Sequence, residues 1–370
     1  MRSVTTLAGV MLAGTLATAI TATAQDVSDL KTPKSGLDLK AQGSFVVGGD
    51  VIAAAAGDLG AGAAAGHVTI NQMYVEYMIP KDNDEIPLVL IHGGGLSGKS
   101  FETTPDGRIG WDEYFVRKGH PVYNVDQASR ARSGFDVTII SRVRAGLLPP
   151  SALPNITRTS NEAAWQNFRF GPSFGVAWPD TQFPVEAAEH FSKQGIPSVN
   201  ATLPIPDPNY KALSDLAIDL KGAVLVGHSQ SSAFPLYAGI YNSAGIKGAV
   251  FLETTNAPRC TLFTDAEIAK LTKFPIMFMY GDHLDQQPAG VLAAFNNCKA
   301  LIAKINAAGG NAQMIWPPDL GIRGNSHMMM LDKNNLQLAD LIRKWMDKNV
   351  KWKKKGRGHD DDDDDHGHRR

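Results

Sequence analysis

The chemistry in this chain gathers first around one serine. Val224-Leu225-Val226-Gly227-His228-Ser229-Gln230-Ser231 carries an apolar strand into a tight turn with Ser229 at its apex. A small residue stands two places away on either side, as a strand-to-helix elbow needs if the serine Oγ is to stay exposed. Ser231 takes a place where glycine is usual, a mild departure that keeps the side chain small. A serine alcohol is a weak nucleophile at neutral pH and needs a base that a third group orients.

Chain order prunes the ten histidines. In enzymes built on such an elbow the base follows the last strand of the sheet. His67, His92, His120 and His190 precede the elbow, His228 lies inside it, and His283 follows a middle strand. That leaves His327, in Gly324-Asn325-Ser326-His327-Met328, and three histidines in the charged tail. His327, between a final strand and a last helix, is the expected base. The acid stays open on the residues alone. The strand Ala249–Leu252 ends at Glu253, whereas Pro275–Tyr280 runs into Gly281-Asp282-His283-Leu284-Asp285.

Negative charge developing on a substrate oxygen needs backbone N–H donors aimed at it. His92-Gly93-Gly94-Gly95, directly after an apolar strand, can bring side-chain-free backbone against a substrate. The expected donors are the amides of Gly94 and Gln230. The same loop reads GGGLSGKS from Gly93 to Ser100, a formal phosphate-loop pattern. Two features argue against nucleotide binding. The continuation Phe101-Glu102-Thr103-Thr104-Pro105-Asp106-Gly107 is rich in helix breakers, and the N-terminus directs the chain away from cytosolic ATP.

These residues need a frame. Short apolar runs at Ile86–Ile91, Val122–Val125, Ala223–Val226, Ala249–Leu252, Pro275–Tyr280 and Ala312–Trp316 read as strands, most of them buried on both faces. Val68–Ile79 alternates as a further strand. Helical patterns at Asn209–Leu220, Ser232–Asn242, Gly290–Ala307 and Leu336–Asn349 lie between or after them. Alternating strands and helices predict an α/β fold with a mainly parallel sheet covered on both faces. Residues 135–208 interrupt the alternation. Trp165, Phe168, Phe170, Phe174, Trp178 and Phe183 fall there, so this stretch is expected to form an inserted cap over the C-terminal edge of the sheet.

The ends differ in composition. Arg2, a small-residue apolar stretch from Leu7 to Ile20, and Ala22-Thr23-Ala24 follow the order of a secretory signal peptide over residues 1–24. Residues 25–65 read as an arm and loops, residues 66–350 as the main domain, and residues 351–370 as a charged, disordered tail with six consecutive aspartates. With Lys plus Arg at 36 and Asp plus Glu at 37, the net charge of −1 argues against a nucleic-acid binder. No membrane span is expected once the leader is cleaved. Export to an oxidising compartment makes Cys260 and Cys298 candidates for one disulfide.

The segments LIHGGGLSG, FETTPDGRIGWDEYFVRKG, VDQASRARS, FRFGP, DTQFPV, GHSQS and GNSHMMMLDKNNLQ together resemble a small group of secreted bacterial α/β-hydrolase esterases. The resemblance spans about Gly66 to Lys348. It implies a glutamate acid on the strand after the nucleophile helix, which is Glu253 here, and it supports pairing Cys260 with Cys298. Gly94 and Gly95 stand where the characterised member has adjacent cysteines, so no vicinal disulfide can stiffen this loop. The expectation is a secreted or periplasmic α/β-hydrolase cleaving a small-molecule carboxylic ester through an acyl-enzyme on Ser229, with no metal or organic cofactor required. A lactonase or acyltransferase would use the same groups, and a catalytically silent binding module is the alternative from another class. Neither the ester nor the oligomeric state is legible.

Overall fold

The computed structural model describes residues 27–352, apart from 200–202, 204–205, 255 and 287–289. The expected leader, and all of the charged tail but its first two residues, lie outside the described residues. One sheet of eight strands organises the chain: β1 (Leu39–Ala54), β2 (Gly66–Pro80), β3 (Leu88–Ile91), β4 (Val122–Asp126), β5 (Ala223–His228), β6 (Ile246–Leu252), β7 (Ile276–Met279) and β8 (Ala312–Ile315). The order across it is β1-β2-β4-β3-β5-β6-β7-β8. β2 is antiparallel to both β1 and β4, and every pair from β4 to β8 is parallel.

The continuous apolar runs become the central strands because both of their faces are covered. Along β3, Val89 and Ile91 join the core on one side of the sheet, and Leu88 and Leu90 join the core on the other. The same alternation separates Leu225 from Val224 and Val226 on β5, and Phe251 from Val250 and Leu252 on β6. A period of two thus feeds two cores at once. The four expected helices occur at Pro208–Asp219, Phe234–Tyr241, Val291–Ala307 and Asn335–Asn349. Among the described residues, no helix is long and apolar enough to cross a membrane.

The arm and loops expected over residues 25–65 need correction. Residues 39–54 form the long edge strand β1, paired along its length with β2. Its Gly- and Ala-rich composition hides the alternation. Phe45 and Val47 pack on the core while Val46 and Val51 face solvent, so the strand is made by its partner more than by its own hydrophobicity. Residues 135–208 carry short helices, Thr138–Arg144, Asn161–Asn167 and Ala188–Ser192, and an isolated bridge between Thr157 and Ser198.

The helix Asp265–Leu271 was not expected, although its start is legible. Thr264 accepts the Glu267 N–H while the Glu267 carboxylate accepts the Thr264 N–H, a reciprocal cap. Cys260 and Cys298 are disulfide-bonded, with Cα atoms 5.0 Å apart, and tie the turn Ala257–Thr261 to the helix Val291–Ala307.

Candidate active site

Ser229 follows the last residue of β5 with φ 57°, in the left-handed region that a serine rarely adopts. The sharp turn works because its flanks are small. A Cβ on Gly227 would lie 2.2 Å from the Ser231 carbonyl oxygen and 2.8 Å from Pro235 Cδ. Ser231 uses its hydroxyl. Its Oγ donates toward the Ile91 carbonyl at 2.9 Å and accepts the His228 N–H at 3.1 Å, stitching the turn to the end of β3. A glycine could do neither, so the departure from the usual elbow has a structural purpose.

His327 reaches Ser229 from the loop after β8. Its Nε2 lies 2.9 Å from Ser229 Oγ, and its Nδ1 lies 3.0 Å from Glu253 Oε2. The loop is clamped on every side. Met328, Met329, Met330 and Leu331 are fully buried behind it. The His327 N–H donates to the Phe168 carbonyl at 2.9 Å, and the Gln182 N–H donates to the Gly324 carbonyl at 2.8 Å, so residues of the 135–208 segment hold the loop. Asp332 accepts the Ser326 hydroxyl at 2.6 Å and the Ser326 N–H at 2.9 Å. Burial pushes the Asp332 carboxyl up to about 6 against those bonds. Phe168 stacks on the imidazole of His327, centroids 5.1 Å apart.

Glu253 stands one residue beyond β6, fully buried, with φ 55°. Burial alone would raise its carboxyl. The Arg169 charge, the His327 bond and the Gly281 amide outweigh burial and hold it at about 2. Arg169 donates Nη2 to Oε1, which also accepts the Gly281 N–H. Burial holds His327 below its ordinary value despite the Glu253 carboxylate. The imidazole is therefore neutral near pH 7, the form able to take a proton. His228 donates its Nε2 proton to the His327 carbonyl at 2.9 Å, and burial lowers it to about 3.

Asp282 and Asp285 do not face His327 Nδ1. Asp282 Oδ2 accepts the Gly324 N–H at 3.0 Å, its N–H donates to the Asn325 carbonyl at 2.7 Å, and Oδ1 accepts the His283 N–H at 2.9 Å. It braces the loop that carries His327. Asp285 is exposed. Among the described residues, Asp180, Asp282 and His283 form the one group spaced to hold a metal, with ligand atoms within 4.8 Å of one another. These groups already serve one another and the backbone, since His283 Nε2 bonds Asp180 Oδ1 at 2.9 Å.

Gly93 and Gly94 bring the loop after β3 against the elbow. A Cβ on Gly93 would lie 3.0 Å from Ser229 Cβ, and one on Gly94 would lie 3.2 Å from Gln230 Oε1. His92 is structural. It donates from Nδ1 to the Gly93 carbonyl at 2.8 Å and accepts the Gln127 N–H at Nε2. The GKS stretch forms a four-residue 3₁₀ turn, Gly98–Phe101, and Lys99 Nζ donates to the Thr103 carbonyl at 2.6 Å. A cavity of about 390 Å³ opens beside Ser229, with Gly94, Gly95, Gln230 and Arg259 among its walls. Of the aromatics in residues 135–208, Phe168 lines a narrower cleft beyond Gly94, whereas Trp165, Phe170 and Phe183 are buried in the same core as Leu88, Leu90 and Leu252 of the sheet.

The unforeseen residue is Arg169. It sits at φ 58° within residues 135–208, 84 positions before Glu253, and donates Nε to the Asp282 carbonyl at 2.8 Å. Its only sequence signal is an arginine flanked by aromatics in Phe168-Arg169-Phe170, which also suits a surface residue.

Among known proteins, the chain is 43% identical to a bacterial esterase of solved structure, over 87% of this chain and 99% of the esterase, with a TM-score of 0.81. It is 26% identical over 319 residues to a fungal protein named a probable secreted lipase, covering 75% of this chain and 86% of that protein. No family model matches.

Proposed function

Because the chain belongs to the α/β-hydrolase esterases and is a carboxylic-ester hydrolase, we propose that it cleaves its substrate through Ser229, His327 and Glu253. Ser229 Oγ attacks the ester carbonyl while His327 Nε2 takes the hydroxyl proton. His327 returns that proton to the departing alcohol, leaving an acyl group on Ser229. Water, activated by the same imidazole, then releases the acid and restores the serine. Glu253 fixes the tautomer with the proton on Nδ1 and stabilises the imidazolium as it forms. The amides of Gly94 and Gln230 receive the oxyanion.

One observation carries this reading: the unbroken contact from Ser229 Oγ to His327 Nε2 at 2.9 Å and from His327 Nδ1 to Glu253 Oε2 at 3.0 Å. The reading extends to export, with residues 1–24 removed. It is supported by the Cys260–Cys298 disulfide, which persists in oxidising compartments, and by the name of the fungal relative. Its domain begins at β1 rather than at residue 66, with residues 135–208 as a cap. Ser229→Ala should fold normally, lose ester turnover, and fail to take up a fluorophosphonate label that the wild-type protein accepts. A variant that kept near-normal hydrolysis would end the proposal.

A further inference from the structure

The two hollows that meet at Gly94 and Gly95 differ in character, the narrow one with aromatic and aliphatic walls and the larger one without them among the described residues. The narrow cleft has Leu96, Ala164, Phe168 and Phe191 in its walls, beside Thr159, Asn161 and Ser192. The larger cavity is walled, among the described residues, by Thr157, Thr159, Ser198, Thr254, Asn256 and Arg259 beside the serine and its loop. An ester bound at Ser229 must divide between them. His327 protonates the alcohol half as it leaves, so that half lies toward the imidazole, where Phe168 stacks and the narrow cleft begins. The acyl half is left with the polar cavity.

There it meets a cation. Arg259 is half-buried and donates Nη1 to the Gln230 carbonyl. Among the described residues it takes part in no ion pair. Burial lowers its pKa, and the groups opposing that shift are Tyr210, Tyr237 and Tyr280 rather than a carboxylate. Desolvated charges in folded proteins are normally paired, and the guanidinium fork matches a carboxylate with two parallel bonds. Arg259 also sits beside Cys260, whose disulfide to Cys298 ties the turn Ala257–Thr261 to the helix Val291–Ala307, and the Gln230 carbonyl anchors the guanidinium at the cavity wall.

We propose that Arg259 determines acyl specificity by binding a carboxylate at the far end of a short acyl chain, which makes half-esters of dicarboxylic acids the preferred substrates. The polar walls supply hydrogen bonds to such a chain and little apolar surface to a long alkyl one. The inference rests on Ser229 as the nucleophile.

The test compares monoethyl with diethyl esters of succinic, glutaric and adipic acid by initial ethanol release, in the wild type, Arg259→Gln and Arg259→Lys. The wild type should favour at least one monoester over its diester by about tenfold or more in kcat/KM. Arg259→Gln should bring that ratio close to one, and Arg259→Lys should leave a reduced preference, since it keeps the charge but not the fork. If the glutamine variant does not fold, the lysine variant decides: an unchanged ratio there overturns the proposal. A wild-type ratio near one, with diesters hydrolysed and Ser229→Ala inactive, overturns it and leaves the esterase mechanism standing. Failure to label Ser229 with a fluorophosphonate overturns both.

Discussion

Replacing Glu253 by glutamine changes few atoms and should nearly silence the enzyme. Oε1 of Glu253 accepts from both Arg169 Nη2 and the Gly281 N–H, while Oε2 faces His327 Nδ1. Those two donors dictate how an amide would sit, because its oxygen must occupy the Oε1 position. The NH₂ group then points at His327 Nδ1, which must present a lone pair. The imidazole proton moves to Nε2, where it faces the Ser229 hydroxyl and can no longer accept its proton. Amide replacement of the acid in a serine-protease triad costs about 10⁴ in kcat by this tautomer effect, and a similar loss is expected here. The change also leaves Arg169 buried without its carboxylate. Glu253 is held at about 2 against an ordinary 4.5, which at 1.36 kcal/mol per pKa unit corresponds to about 3 kcal/mol in favour of the charged form. Breaking a buried pair by removing one partner costs about 3–5 kcal/mol, in agreement. Because the folded value lies below the unfolded one, this stabilisation is complete above about pH 4.5 and is lost as pH falls toward 2. The assay is kcat on a saturating activated ester at pH 7, with circular dichroism and urea unfolding on the same samples. Asp282→Asn is the control, since an amide oxygen can still accept the Gly324 N–H, and it should stay within about tenfold of wild type. A Glu253→Gln enzyme within tenfold of wild type, beside a dead Asp282→Asn, would refute the reasoning.

Other expectations follow from single contacts. Gly227→Ala drives a Cβ to 2.2 Å from the Ser231 carbonyl, so the variant should be both inactive and less stable than Ser229→Ala in thermal unfolding. As the proposed base, His327 must be neutral to act, and burial keeps its pKa below the ordinary 6.5. The acid limb of kcat/KM should therefore lie below pH 6.5, and an inflection above 7 would contradict the buried environment. Removing the disulfide, which spans 38 residues of chain, should cost about 3–4 kcal/mol on the loop-entropy account, measured by urea unfolding of Cys260→Ala/Cys298→Ala. A loss below 1 kcal/mol would mean that the turn at Arg259 is held by its packing alone.

The sequence by itself carried what depends on neighbours along the chain. Apolar runs of four to six residues marked the central strands, because a strand buried on both faces needs no partner to be recognisable. Gly227, Ser229 and Ser231 announced the turn, since crowding between a strand and the helix after it is a local constraint. Chain order then left His327 and three tail histidines, and the place between the final strand and the last helix singled out His327. Contacts between distant segments decided the rest. β1 emerged only through pairing with β2, as its glycines and alanines hide the alternation that would mark it. Glu253, Asp282 and Asp285 were equivalent as carboxylates after strands. What separates them is where their oxygens point, with Glu253 turned to the imidazole and Asp282 turned to the backbone of Gly324. Arg169 had no local signature that set it apart from a surface arginine, because a buried cation is stabilised by a carboxylate 84 positions away, and that electrostatic contact exists only in the folded chain.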